Sequence, residues 1–151
     1  MRWRMAICIS FLSFGGVVWA AEPTGVEEPG PPDPKNPVRI VIEQEYLSVY
    51  RADRLLFRYH YRDVPYKPYV QEVYSPQGVN VLLDAPEDHL HHHGLMYAVT
   101  VDGVNFWEEA HAPGRQADRG FTDINVFKRD GASWASFTET LDWVNPQTGR
   151  V

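Results

Sequence analysis

The chain has 151 residues, enough for one domain, and its 14 basic and 20 acidic side chains give a formal net charge of −6. An acidic balance without a basic stripe argues against nucleic acid or anionic lipid as a partner, because both are held chiefly by Lys and Arg. Aromatic residues make up 13% of the chain, a share that suits a β-rich protein and offers rings for flat, sugar-like ligands.

Residues 1–20 read as a cleavable export signal. Arg2 and Arg4 give a positive start, Met5–Trp19 is an apolar run, and Val18 and Ala20 place small residues at the −3 and −1 positions of a cleavage site. The run is shorter than the roughly 20 apolar residues that a membrane-spanning helix needs, and Gly15 and Gly16 weaken it further. A periplasmic or extracellular protein is therefore expected, with no membrane attachment after cleavage. Cys8, the sole cysteine, lies inside the leader without a lipobox-like arrangement before it. The mature chain thus has no thiolate nucleophile, disulfide or Cys-ligated zinc. Losing Arg2 and Arg4 leaves 12 basic residues against 20 acidic ones, a net charge of −8.

Residues 21–37 hold six of the twelve prolines and four acidic residues, with almost nothing to bury, and read as a disordered linker. From Val38 the pattern is β throughout, and a folded domain is expected over 38–151. Val38, Ile40 and Ile42 alternate with polar residues, as do Leu47 and Val49, and then Leu55, Phe57, Tyr59 and Tyr61. Ser75-Pro76-Gln77-Gly78 and Val101-Asp102-Gly103-Val104 are turn signals, and Asp130-Gly131 is a hairpin signal between two long strands. No stretch sustains a 3.6-residue period, so an all-β antiparallel sandwich is expected. Trp134–Trp143 reads as a strand followed by a turn at Asn145-Pro146-Gln147-Thr148-Gly149 with no return strand. That pattern implies a sandwich truncated at the C-terminus.

Chemistry concentrates in Pro86-Glu87-Asp88-His89-Leu90-His91-His92-His93-Gly94, which holds four of the six histidines. Its bounding Pro and Gly mark a loop feeding a strand over Leu95–Val101. In extended chain His89, His91 and His93 would face one side. With Asp88 they could hold Zn²⁺, Cu²⁺ or Fe²⁺, or they could act as general acid and base, because imidazole titrates near neutral pH. The spacing leaves both roles open. A second cluster, Trp107-Glu108-Glu109-Ala110-His111 followed by Arg115 and Arg119, offers a ring for stacking on a sugar, carboxylates for acid–base work and guanidinium groups for ligand contacts. His60, within an alternating strand, is expected to be a packed or surface residue.

The ordered set Lys67-Pro68-Tyr69, Ser75-Pro76-Gln77-Gly78, Pro86-x-Asp88-His89-x-His91-His92-x-Gly94-Leu95 and Gly103-Val104-Asn105-Phe106-Trp107 resembles the PmoA-like family, also treated as the domain of unknown function DUF6807. The resemblance covers most of residues 38–151. This chain has His93 where the family typically has Arg, and Asn105 where it often has Asp. The resemblance implies a secreted bacterial protein acting on carbohydrate or a related polyol, of hydrolase, lyase or epimerase type. His91, His92, Asp88 and Glu108 would be catalytic, with Trp107, Tyr69, Lys67, Arg115 and Arg119 touching substrate. The alternatives are a non-catalytic glycan- or metal-binding module and, following the family name, a copper-dependent oxygenase-related protein.

Overall fold

The computed structural model describes residues 38–149, together with the backbone of residues 2–11. The expected linker at 21–37 and the expected cleavage site after Ala20 lie outside the described residues. No helix occurs among those described, and every strand pairing is antiparallel. The protein is all-β.

Among the described residues ten strands follow in chain order: β1 (Arg2–Phe11), β2 (Val38–Ile42), β3 (Tyr46–Arg51), β4 (Arg54–His60), β5 (Tyr69–Val73), β6 (Leu95–Met96), β7 (Thr100–Val101), β8 (Val104–Asn105), β9 (Arg115–Arg129) and β10 (Ala132–Val144). They form a three-stranded sheet ordered β1-β10-β9, a five-stranded meander β2-β3-β4-β5-β6, and the small hairpin β7-β8. The turn signals hold. Asp102 and Gly103 both take positive φ between β7 and β8, and Asp130 and Gly131 do the same between β9 and β10, a pattern whose twist matches that of the flanking strands. Two bulges bend the long β9–β10 ribbon, opposite Phe137 and Thr140, and the left-handed residues Asp123 and Gly120 lie within them.

Alternation along the strands builds one main core. Val38, Leu47, Val49, Phe57, Tyr59, Tyr61 and Val70 from the meander pack with Phe121, Val126, Ala135 and Phe137 from β9 and β10. Phe137 lies within aromatic contact of Phe57, Tyr59 and Phe121, so rings knit the two sheets together. A smaller cluster of Phe106, Leu141 and Trp143, with Val99, Val101 and Val104 against it, seats the β7–β8 hairpin on the far end of β10. His60 is packed as expected, stacked on Tyr46 at 4.5 Å between ring centres.

The strand expected over Leu95–Val101 is instead interrupted. Only Leu95–Met96 pairs with β5, and pairing resumes at Thr100. Gly94 permits the first of these contacts. A Cβ there would lie 2.2 Å from the Val70 carbonyl oxygen, closer than any side chain tolerates. Replacing Gly94 with Ala must therefore push β6 away from β5. We expect a stability loss of about 1–3 kcal/mol, read from a denaturation curve, together with altered histidine ring resonances in the adjoining loop.

Glu139 is a carboxylic acid buried among the apolar side chains. It is fully buried on β10 and accepts the Tyr59 hydroxyl from β4 at 2.5 Å, which bridges the two sheets. Burial raises its carboxyl pKa to about 8, against the relief that the Tyr59 hydrogen bond supplies and with Asp118 adding repulsion. The folded protein therefore keeps this carboxyl protonated over a range in which the unfolded chain ionises it. Stability should fall as pH rises from about 4.5 through about 8, by on the order of a few kcal/mol. Glu139→Gln should flatten that slope in urea titrations. An unchanged slope would assign the pH dependence elsewhere.

Candidate active site

Four segments separated in sequence converge on one charged chain. Lys67 precedes β5, Tyr69 opens it, His93 precedes β6 and Glu109 follows β8. Asp84 heads the loop that leads to His93. Lys67 is only 2% exposed, and an ammonium so buried requires a counter-charge. Its Nζ donates to Glu109 Oε1 at 2.8 Å and to the Trp107 carbonyl at 2.9 Å. The same Glu109 oxygen lies 3.2 Å from His93 Nε2, while His93 Nδ1 lies 2.9 Å from Asp84 Oδ1. Asp84 Oδ2 in turn accepts from the Tyr69 hydroxyl and from Gln71 Nε2, each at 3.3 Å. The Tyr69 ring stacks on the His93 imidazole at 4.4 Å. Burial, with Asp84 second, raises the Tyr69 pKa, so its hydroxyl remains a donor.

Both His93 nitrogens thus face carboxylate oxygens. A neutral imidazole donates through one nitrogen only, and an ionised carboxylate cannot donate at all. A neutral ring meets one of the two contacts by donating; meeting both takes one further proton, on the ring or on a carboxyl.

Local backbone chemistry holds the two carboxylates in place. The Asn105 side-chain oxygen accepts the Trp107 and Glu108 amides at 2.8 and 3.2 Å, a tight Asx turn that aims the segment after β8. Gly114 lies flat against the Phe106 ring, where a Cβ would come within 2.4 Å, and Gln116 is tied to the Tyr66 and Tyr97 carbonyls. Non-glycine residues in the left-handed region flank both acids: Ala85, between Asp84 and Pro86, and His111 with Ala112, just after Glu109. A residue before proline favours extended backbone, so Ala85 is doubly disfavoured there. Strain of this kind persists where the surrounding structure imposes it, and such places concentrate at functional sites.

A cavity of about 440 Å³ opens onto His92, His93 and Trp107, with Leu83, Leu95 and Met96 among its apolar walls. The Trp107 and His92 rings lie nearly parallel, 6.3 Å apart. Partial desolvation first, then repulsion from His91 and His89, lowers the His92 pKa below its ordinary value. His92 is therefore a neutral imidazole, a proton acceptor, near pH 7.

The histidine loop departs from the extended geometry expected of it. Hydrogen bonds from the His89 amide to Pro86 and from the His92 amide to His89 wind it into consecutive turns. Those turns group His89, His91 and His92, with ring centres 4.4 to 6.2 Å apart, while His93 is turned to Asp84 and Glu109. The set His89, His91, His93 is thereby divided. Among the described residues no group of three or more His, Cys, Asp or Glu side chains is arranged to hold a metal ion.

Asp88 pairs with His89 Nδ1 at 3.0 Å on the exposed side of the loop rather than orienting His91 or His92. Glu108 takes the Asn105 amide, and its neighbour Glu109 is the acid that reaches His93. Lys67 and Tyr69 belong to the charged chain, as buried supports of His93. Arg119 pairs with Asp142, Arg115 is exposed at the start of β9, and neither lines the cavity. Sequence reasoning missed Asp84. The strained Asp84-Ala85-Pro86 corner ahead of the loop was the signal that could have marked it.

A family model described as a family of unknown function (DUF6807) matches residues 46–151, a stretch that includes every member of the charged chain. No curated protein and no solved structure gives a match. With well over half of its length covered by that family model, the chain belongs to the DUF6807 family.

Proposed function

We propose that this protein is a secreted enzyme that acts on a carbohydrate or related polyol by acid–base proton transfer in the cavity bounded by His92, His93 and Trp107. The observation that carries this reading is the His93 ring, fixed between Asp84 and Glu109 beside a second imidazole of lowered pKa. A ring held between two carboxylates, next to an imidazole that is neutral near pH 7, offers a donor and a partner base on one cavity wall. His92 takes a proton from the substrate. His93 delivers one to a substrate oxygen, its ring held in place by Asp84 and Glu109. Trp107, 47% exposed, presents its ring to a sugar face.

Within the hydrolase, lyase and epimerase types, this arrangement favours lyase or epimerase chemistry. Glycoside hydrolysis commonly uses two carboxyl groups flanking the scissile bond, and here both nearby carboxylates are engaged with His93. Export is supported by the leader-like composition of residues 1–20. Cleavage after Ala20 would release β1 from β10, and N-terminal sequencing of exported protein checks it.

Replacing His92 or His93 with Ala should lower turnover of the responding sugar by roughly 10²–10⁴-fold while leaving thermal melting nearly unchanged. Wild-type turnover in both variants would overturn the assignment. The acid limb of kcat/KM should have its midpoint below 6.5 and should disappear in His92→Ala. Turnover should survive exhaustive dialysis against a chelator; a loss restored by one added divalent ion would move the chemistry to metal. Lys67→Met should cost on the order of a few kcal/mol of stability by leaving Glu109 without its ammonium, and adding Glu109→Gln should recover most of that loss.

A further inference from the structure

Most of the large apolar side chains that stand exposed among the described residues lie between Val79 and Trp107, with Phe127 on β9 apart from them. Leu83 is 72% exposed, Leu90 66%, Leu95 60% and Tyr97 56%, and they fall in the same short stretch of chain as Trp107. Leu83, Leu95 and Trp107 also line the cavity. Soluble proteins rarely gather exposed apolar surface without a ligand or partner to cover it. Here the surface continues into a cavity whose polar groups, His92 and His93, occupy only part of the wall, with Leu83, Leu95 and Met96 forming another part. The site is therefore amphipathic, suited to a ligand with one hydrogen-bonding end and one apolar end.

We infer that the substrate is a glycoside carrying an apolar aglycone, aryl or alkyl, whose sugar meets His92, His93 and Trp107 while the aglycone lies against Leu83 and Leu95. This rests on the carbohydrate reading and deepens it by naming the substrate class. A free hydrophilic oligosaccharide would leave Leu83 and Leu95 facing water on binding, and would gain nothing from them. An aglycone removes apolar area from water on both sides, each buried methylene contributing about 0.8 kcal/mol.

The test is calorimetric titration of the full chain with methyl, phenyl and octyl glycosides of glucose, galactose and xylose, the octyl compounds below their micelle threshold, with phenol and octanol as sugar-free controls. On the sugar that binds, the phenyl or octyl glycoside should bind at least about tenfold more tightly than the methyl glycoside. The relative strength of the two distinguishes an aryl from an alkyl aglycone. Leu83→Ser and Leu95→Ser, which remove apolar surface at exposed side chains, should each reduce the preference for the phenyl or octyl glycoside over the methyl glycoside. Equal affinity for all three glycosides overturns the inference and leaves the carbohydrate reading intact. Binding of phenol or octanol as tight as that of their glycosides overturns it as well, by making the site a plain apolar pocket. Failure of every glycoside to bind removes the carbohydrate reading and this inference with it.

Discussion

An ammonium group cannot be buried alone, and Lys67 is buried beneath the cavity. Its attraction for Glu109 fixes that carboxylate, and Glu109 in turn fixes one face of His93. The second Lys67 hydrogen bond, to the Trp107 carbonyl, positions the backbone that carries the stacking ring. A single desolvated charge thus sets the acid, the imidazole and the aromatic wall in relation to one another. Tyr69 and Gln71 act on the opposite side through Asp84. Supports of this kind give a reacting group its orientation, since an imidazole free to rotate would lose most of its catalytic value.

The two buried acid systems solve the same problem differently. Glu139, between the sheets, meets a tyrosine hydroxyl and the Asp118 carboxylate, and it avoids the cost of a buried charge by keeping its proton. Glu109 and Asp84 lie nearer the surface, where Lys67 meets Glu109, Tyr69 and Gln71 meet Asp84, and His93 lies between the two. The first arrangement ties sheets together. The second holds the His93 ring at the cavity wall.

Much of the fold was legible because its causes are local. The alternation of Phe57, Tyr59 and Tyr61 does place those residues in the core, and Asp102-Gly103 and Asp130-Gly131 do form hairpin turns, because positive φ there needs those residue types. The site was only partly legible. The histidine-rich segment, Trp107, Lys67 and Tyr69 do come together around one cavity and its supports. Their roles depended on consecutive turns within the histidine loop, which reverse the alternation that extended chain would impose. The choice of Glu109 over Glu108 depended on the Asn105 turn, and that of Asp84 on a strained corner. These are tertiary outcomes that no residue spacing encodes.

The charged chain also has a place in the order of assembly. Lys67 and Glu109 are 42 positions apart, and the segments carrying them meet only after β5, β6 and the β7–β8 hairpin have docked. Contacts this distant form late, since the loops between them must first be closed. They also belong to the irregular part of the molecule, whereas β9 and β10 can zip up from a tight turn. Under mild destabilisation the cavity should therefore come apart while the ribbon persists, leaving a chain that still looks folded by its strand content but no longer holds His93 between its two carboxylates.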